Sequence, residues 1–286
     1  MDFDTFKRKR SEYVEWMTAN GFNEGDCNKN GEFTALAAFA SQYDFFIDVG
    51  ANNGIFIDRV NAAVTLERGD PSKFVLAFEP NPKLSQVLQK KITRGTLIQA
   101  ALSNKQGTAS FNIYSADDTT SSLFDRTDMM PHFTDKVTHL EVAVDVLDNY
   151  LPVIDRESSR GIFIKIDAEG VELPVLEGAR NILARHPVTF LMFEYSKAWK
   201  IGNHALKDAF HLLDKAGFKI CRVTPLGLES LRFYTPDMEG PDYCNYFAVK
   251  GVSLGDILEQ HPVRSTTHNW NDFYLFPESI KSSSIG

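Results

Sequence analysis

The sequence predicts an α/β fold, a mostly parallel sheet with helices on both faces. Apolar runs of strand length alternate with helix-length amphipathic stretches through most of the 286 residues. The run Phe45–Ile47 ends in Asp48 and a glycine turn, Gly50 to Gly54, which opens a stretch with Ile55, Phe56 and Val60 at apolar positions. The next apolar run, Val75–Phe78, delivers a second acid, Glu79, 31 residues after Asp48.

From the start of the chain, residues 5–18 read as an amphipathic helix with Phe6, Tyr13, Val14 and Met17 on one face, and residues 31–41 as a second, short one. Strands are expected at 44–48, 74–79 and 96–102, the last followed by a turn at Ser103–Gly107. Ala109–Tyr114 and His139–Val144 alternate in a way that suits an exposed antiparallel pair. Further central strands are expected at 161–167 and 188–194, and segments 218–223 and 243–249 complete an antiparallel end of the sheet. Helices fill 82–91, 172–184 and 203–216, with Pro174 tolerated in the first turn of the second. The organisation is one elaborated domain at 43–250, with a helical segment at 1–42 and an extension at 251–286.

Composition narrows the function. Net charge is −8, from 30 Lys and Arg against 38 Asp and Glu, with no basic block, which argues against a nucleic-acid substrate. The three cysteines, Cys27, Cys221 and Cys244, form no C-x-x-C pair, so neither a disulfide framework nor a cysteine zinc site is expected. No 18-residue apolar run and no apolar core behind the N-terminal charges occur, which predicts a cytoplasmic protein without a transmembrane segment. A homo-oligomer is compatible with all of this.

The glycine turn excludes two common ligands. Asn52 stands where a dinucleotide fingerprint needs its middle glycine, and no Gly-Lys-Ser/Thr follows as a phosphate loop requires. What remains is a turn suited to a nucleoside without a phosphate to cradle, with Glu79 where the ribose 2′ and 3′ hydroxyls of a βαβ unit lie. That combination points to S-adenosylmethionine.

A second landmark is Lys165-Ile-Asp-Ala-Glu-Gly170. Strand ends on the carboxyl side of an open α/β sheet face the ligand crevice, so Asp167 and Glu169 are placed for chemistry, with Lys165 on the same side of the strand as Asp167. Glu194 ends the next strand and brings a third carboxylate to the same rim. Three such acids need a cation, a proton or substrate hydroxyls.

The ordered set D48-V-G-A-N-N-G54, F78-E-P-N-P82, A101-L-S-N104, L147-D148, K165-I-D-A-E-G170, V175-L-E-G-A179, Glu194 and N245-Y-F-A248 resembles the FkbM-type methyltransferase family. The resemblance covers about residues 43–249. It implies a Rossmann-like class I methyltransferase fold, a mostly parallel seven-stranded sheet flanked by helices with an accessory β pair. It also implies S-adenosylmethionine binding and, usually, O-methylation of a small-molecule or saccharide acceptor. The matched segments place Asp48, Gly50, Asn52, Asn53, Gly54, Glu79, Pro80, Asn81, Ala101 and Ser103 at the cofactor.

Methyl transfer to a hydroxyl requires the acceptor oxygen about 3 Å from the methyl carbon and a route for its proton. Asp167 is the preferred base, with Glu169 orienting the acceptor. The alternatives are a divalent cation such as Mg2+ held by Asp167 and Glu194, or His132 in a polar segment with Asp117 and Asp118. Glu194, Tyr195 and Trp199 are candidate acceptor contacts. N-methylation of an amine or peptide and a noncatalytic nucleoside-binding role stay open beside these.

Overall fold

The computed structural model describes residues 24–66, 73–114, 120–129, 137–240, 243–261 and 273–277. The expected helix at 5–18 and residues His132, Asp117, Asp118 and His268 lie outside them. Among the described residues no helix is long and apolar enough to cross a membrane.

In chain order the first elements are α1 (Glu32–Ala38), β1 (Phe45–Val49), α2 (Ile55–Leu66), β2 (Phe74–Phe78), α3 (Pro82–Leu88) and β3 (Gly95–Ile98). Next come β4 (Ala101–Leu102), β5 (Gly107–Ile113), β6 (Thr138–Asp145), α4 (Leu151–Glu157), β7 (Ile162–Ile166), α5 (Glu172–Glu177) and α6 (Arg180–Arg185). The last are β8 (Thr189–Ser196), α7 (Leu206–Lys215), β9 (Lys219–Val223), β10 (Gly227–Leu231), β11 (Tyr243–Lys250), β12 (Glu259–His261) and β13 (Phe273–Leu275).

The main sheet runs β12-β13-β10-β9-β11-β8-β7-β1-β2-β3. Strands β3, β2, β1, β7 and β8 pair in parallel, and β11 is inserted antiparallel between β8 and β9. The seven expected strands are all present, from β3 across to β9. The sheet does not stop there. β10, β13 and β12 extend it antiparallel, and β13 comes from the expected C-terminal extension. The order reverses beside β1, and a sheet of this kind opens its crevice at such a point, above the carboxyl ends of β1 and β7.

Strict period-two alternation sends the two faces of each strand into separate apolar layers. Phe45, Ile47 and Val49 join Leu76, Ile164 and Phe193 on one face, under α5, α6 and α7. Phe46 joins Val75, Phe163, Phe190 and Phe247 on the other, where Phe33, Leu36 and Phe39 of the α1 region also pack. Each fully buried Phe of this kind stabilises the fold by roughly 1.5–3 kcal/mol.

Two expected elements are broken. The strand at 96–102 is split because Ala100 N–H turns back to Ile98 O at 3.0 Å, so β3 stays in the main sheet while β4 pairs in parallel with β6. The expected accessory pair β5–β6 is therefore a three-stranded sheet. The helix at 172–184 is interrupted at Gly178, where a Cβ would stand 2.3 Å from Ser103 O. Asp148 then caps the second piece, accepting from Asn181 N at 3.0 Å and Ile182 N at 2.9 Å.

Candidate active site

The turn after β1 is shaped by contact with the strand beside it. Gly50 has φ +77, and a Cβ there would sit 1.9 Å from Asp167 O, so only glycine lets the β1 and β7 loops close together. Gly50 N and Ala51 N both donate to Phe78 O, tying the same turn to the end of β2. Asn52 follows in the left-handed region at φ 52, and its backbone N–H donates to Glu79 Oε2 at 2.9 Å. Asn81 N donates to the other oxygen, Oε1, at 2.8 Å. Glu79 is therefore a buried carboxylate of fixed orientation at the mouth of the crevice.

Two cavities meet at this turn. A narrow cleft of about 60 Å³ runs from Gly50 past Glu79, Pro80 and Ala101 under Ser121 and Leu123. A larger cavity of about 480 Å³ is lined by Glu32, Asp48, Lys165, Glu194 and Tyr243. Gly50, Asn52, Asp167 and Glu169 line both.

Strand parity builds the larger cavity. Asp48 continues the face of Phe46, Lys165 that of Phe163, Glu194 that of Met192, and Asn245 that of Phe247. All four reach the carboxyl edge on the side where α1 packs. Lys165 is buried, lies 4.1 Å from the centroid of the Phe56 ring and donates to Asp167 Oδ2 at 2.8 Å. Burial works against its charge, but Asp167, Asp48 and Glu32 hold the ammonium above its ordinary value.

The acids around it titrate high. Burial pushes the Asp48 carboxyl up to about 6 against the pull of Lys165, and neither of its oxygens has a hydrogen-bond partner among the described residues. Burial raises Glu32, and raises Glu194 well above its usual range with Asp167 adding to the effect. Glu169, at φ 55, rises to about 7 through burial and the nearby Asp167, and is paired with Arg126. Ser122 Oγ also donates to Glu169 O at 2.8 Å, so residues 120–129 are latched onto the rim between the two cavities.

Several expected site residues stand elsewhere. Tyr195 and Trp199 are not a wall of the cavity. Both are fully buried in the opposite layer, because Tyr195 is one residue out of phase with Glu194. Their rings pack edge to face at 5.3 Å, the Trp199 indole N–H donates to Glu194 O, and the Tyr195 hydroxyl donates to Glu239 Oε2. Asn53, by contrast, does line the larger cavity; it is exposed, and its Oδ1 accepts from Ile55 N at the start of α2. Ser103 N donates to Asp145 O where β4 meets β6, away from both cavities. Among the described residues no three His, Cys, Asp or Glu side chains are grouped to hold a metal ion, and Asp167 already carries the Lys165 ammonium.

The sequence reading missed Glu32, Arg126 and Tyr243, and gave Asn245 only as part of the matched segment 245–248. Glu32 was readable in principle as the polar start of an apolar-periodic helix. Its direction depends on how α1 docks on the sheet.

The Methyltransferase FkbM domain model matches residues 48–220, more than half of the chain. The chain belongs to the FkbM methyltransferase family. It is an S-adenosylmethionine-dependent methyltransferase, and no curated protein matches it over its sequence. Among solved structures, this FkbM methyltransferase is similar to an O-methyltransferase from Bacillus cereus in complex with SAH, at 10% identity over 87% of this chain and 92% of that one, with a TM-score of 0.39. It is also similar to a possible histamine N-methyltransferase from Thermotoga maritima, at 10% identity over 86% and 98%, TM-score 0.34. A S-adenosylmethionine-dependent methyltransferase from Aquifex aeolicus matches at 12% over 80% and 94%, TM-score 0.38.

The residues of the FkbM methyltransferase fit the cofactor. Glu79 offers a fixed carboxylate to a diol, Gly50 leaves backbone room, and Asp48 carries two buried oxygens with no partner among the described residues, facing the larger cavity as an ammonium or sulfonium would require.

Proposed function

We infer that the protein methylates a hydroxyl of a small-molecule or sugar-containing acceptor, with Asp167 as general base. One observation carries this reading: Asp167 lines both cavities and is held by a buried lysine. Bound S-adenosylmethionine supplies an activated methyl group. Glu79 binds the ribose hydroxyls, Pro80 and Ala101 flank the nucleoside, and Asp48 receives the amino-acid end. Gly50 and Asn52 mark the passage between the two cavities.

In the transfer the hydroxyl oxygen would gain the methyl group as the donor's carbon–sulfur bond breaks to leave S-adenosylhomocysteine, and Asp167 takes the hydroxyl proton. Lys165 holds Asp167 in one orientation beforehand, so the base is in place when the acceptor arrives. Glu169, fixed by Arg126, shapes the rim beside it. The donor set of the described residues does not fit a tightly held Mg2+, since Asp167 is already paired and no third ligand among them converges with Glu194.

The test uses methyl-labelled S-adenosylmethionine and fractionated small molecules from the source organism. A methyl ether, formed equally after exhaustive chelation, supports the reading. A methylated amine or peptide overturns the hydroxyl acceptor, and loss of activity restored by Mg2+ overturns the metal-free route.

A further inference from the structure

The wall of the larger cavity facing Asp167 contains two carboxylates with spare hydrogen-bonding capacity. Glu32 is 4% exposed. Three donors converge on one of its oxygens: Asn30 Nδ2 at 2.5 Å, Asn245 Nδ2 at 2.5 Å and the Tyr243 hydroxyl at 3.2 Å all reach Oε1. Oε2 has no hydrogen-bond partner among the described residues, and the side chain lines the cavity. An oxygen open to the cavity and lacking a donor from the protein is available to accept from a ligand hydroxyl.

Glu194 is the second. It sits opposite Asn245 in the β8–β11 register, lines the same cavity, and neither of its oxygens receives a hydrogen bond among the described residues. Asn245 thus stands between the two acids, paired with one along the sheet and donating to the other. Two neighbouring carboxyls reaching one cavity suit two neighbouring hydroxyls. A hydroxyl both donates and accepts, and burial raises both acids, favouring the protonated carboxyl that can do the same.

We propose that Glu32, through its free Oε2, and Glu194 together grip a pair of vicinal hydroxyls on a polyhydroxylated acceptor, holding a further hydroxyl of the same molecule at Asp167. Glu32 is a specificity-determining residue contributed from outside the segment matched by the family model. This rests on the hydroxyl-acceptor reading and adds the requirement for a vicinal diol.

Periodate separates the two, because it cleaves vicinal diols and leaves isolated hydroxyls intact. Labelled S-adenosylmethionine is incubated with the full chain and the small-molecule fraction, either untreated or treated with periodate and quenched. A methyl ether formed only in the untreated fraction is expected. An acceptor that survives periodate overturns the diol grip while the hydroxyl reading stands, and the lack of any methyl ether in the untreated fraction overturns both.

With the untreated fraction, Glu32→Gln keeps an acceptor for Asn30, Asn245 and Tyr243 but turns Oε2 into a donor group. We expect the acceptor KM to rise about tenfold with kcat changed far less, S-adenosylhomocysteine affinity retained, and partial recovery in Glu32→Asp. An unchanged KM in Glu32→Gln overturns the role of Glu32, as does a loss confined to thermal stability.

Discussion

At the scale of single residues, Glu79 and Asp167 separate binding from chemistry. Both Glu79 oxygens are oriented by backbone N–H groups, so Glu79→Gln must lose at least one of those contacts. The expected result is S-adenosylhomocysteine binding weaker by roughly 10- to 100-fold, or about 1.5–3 kcal/mol, in calorimetry. Asp167→Asn keeps shape and removes the base. Single-turnover methyl transfer should fall by about 10²–10⁴ while product-cofactor affinity stays within a few-fold of wild type. A parallel loss of affinity would make Asp167 a cofactor ligand instead. Asp48, Asp167 and Glu194 were legible because they end apolar runs of strand length. Tyr195 and Trp199 were misread because closeness in sequence to Glu194 was taken as closeness in space, and in a strand the next residue faces the other layer.

At the scale of elements, the latch made by residues 120–129 governs access. Tyr114 OH accepts from Arg126 N at 2.6 Å and donates to Phe124 O at 3.0 Å, which fixes the segment carrying the Arg126 guanidinium to Glu169. Ser121 and Leu123 of the same segment line the narrow cleft, so the proposed nucleoside site should exchange its ligand faster when the segment is loosened. Arg126→Ala removes one charge-assisted contact worth about 1.5–3 kcal/mol, and stopped-flow dissociation of S-adenosylhomocysteine should be roughly tenfold faster. An unchanged rate would mean that the latch does not gate the cleft. The strands of the main sheet were readable from their apolar runs. The kink at Ala100 and the break at Gly178 were not, because both arise from contacts between segments distant in sequence.

At the scale of the whole molecule, buried acids set the response to pH. Asp48, Glu169 and Glu172 are raised to about 6, 7 and 8 by burial, and Glu32 and Glu194 are raised too. Their unfolded values lie near 4, so between that pH and their folded values the native chain holds more protons than the unfolded one. Stability from these groups is full at the acid end and is lost as pH rises. Asp44 and Asp145, depressed by hydrogen bonds, act oppositely and weaken the fold only in more acid solution. The cofactor-free protein should therefore melt higher near about pH 5.5 than near about pH 8, as differential scanning calorimetry can show. Cofactor binding has the reverse slope. A cationic ligand favours ionised Asp48, so affinity should climb through about pH 6 and Asp48→Asn should flatten that climb.

The family model ends where β9 begins and starts inside β1, yet the wall opposite Asp167 is made by Glu32 ahead of that span and by Tyr243 and Asn245 behind it. In the proposed acceptor site, Asp167 and Glu194 from within the matched span thus meet Glu32 from outside it. Grafting residues 24–42 and 243–250 between relatives is the direct way to test whether these flanks exchange what is methylated without rebuilding how.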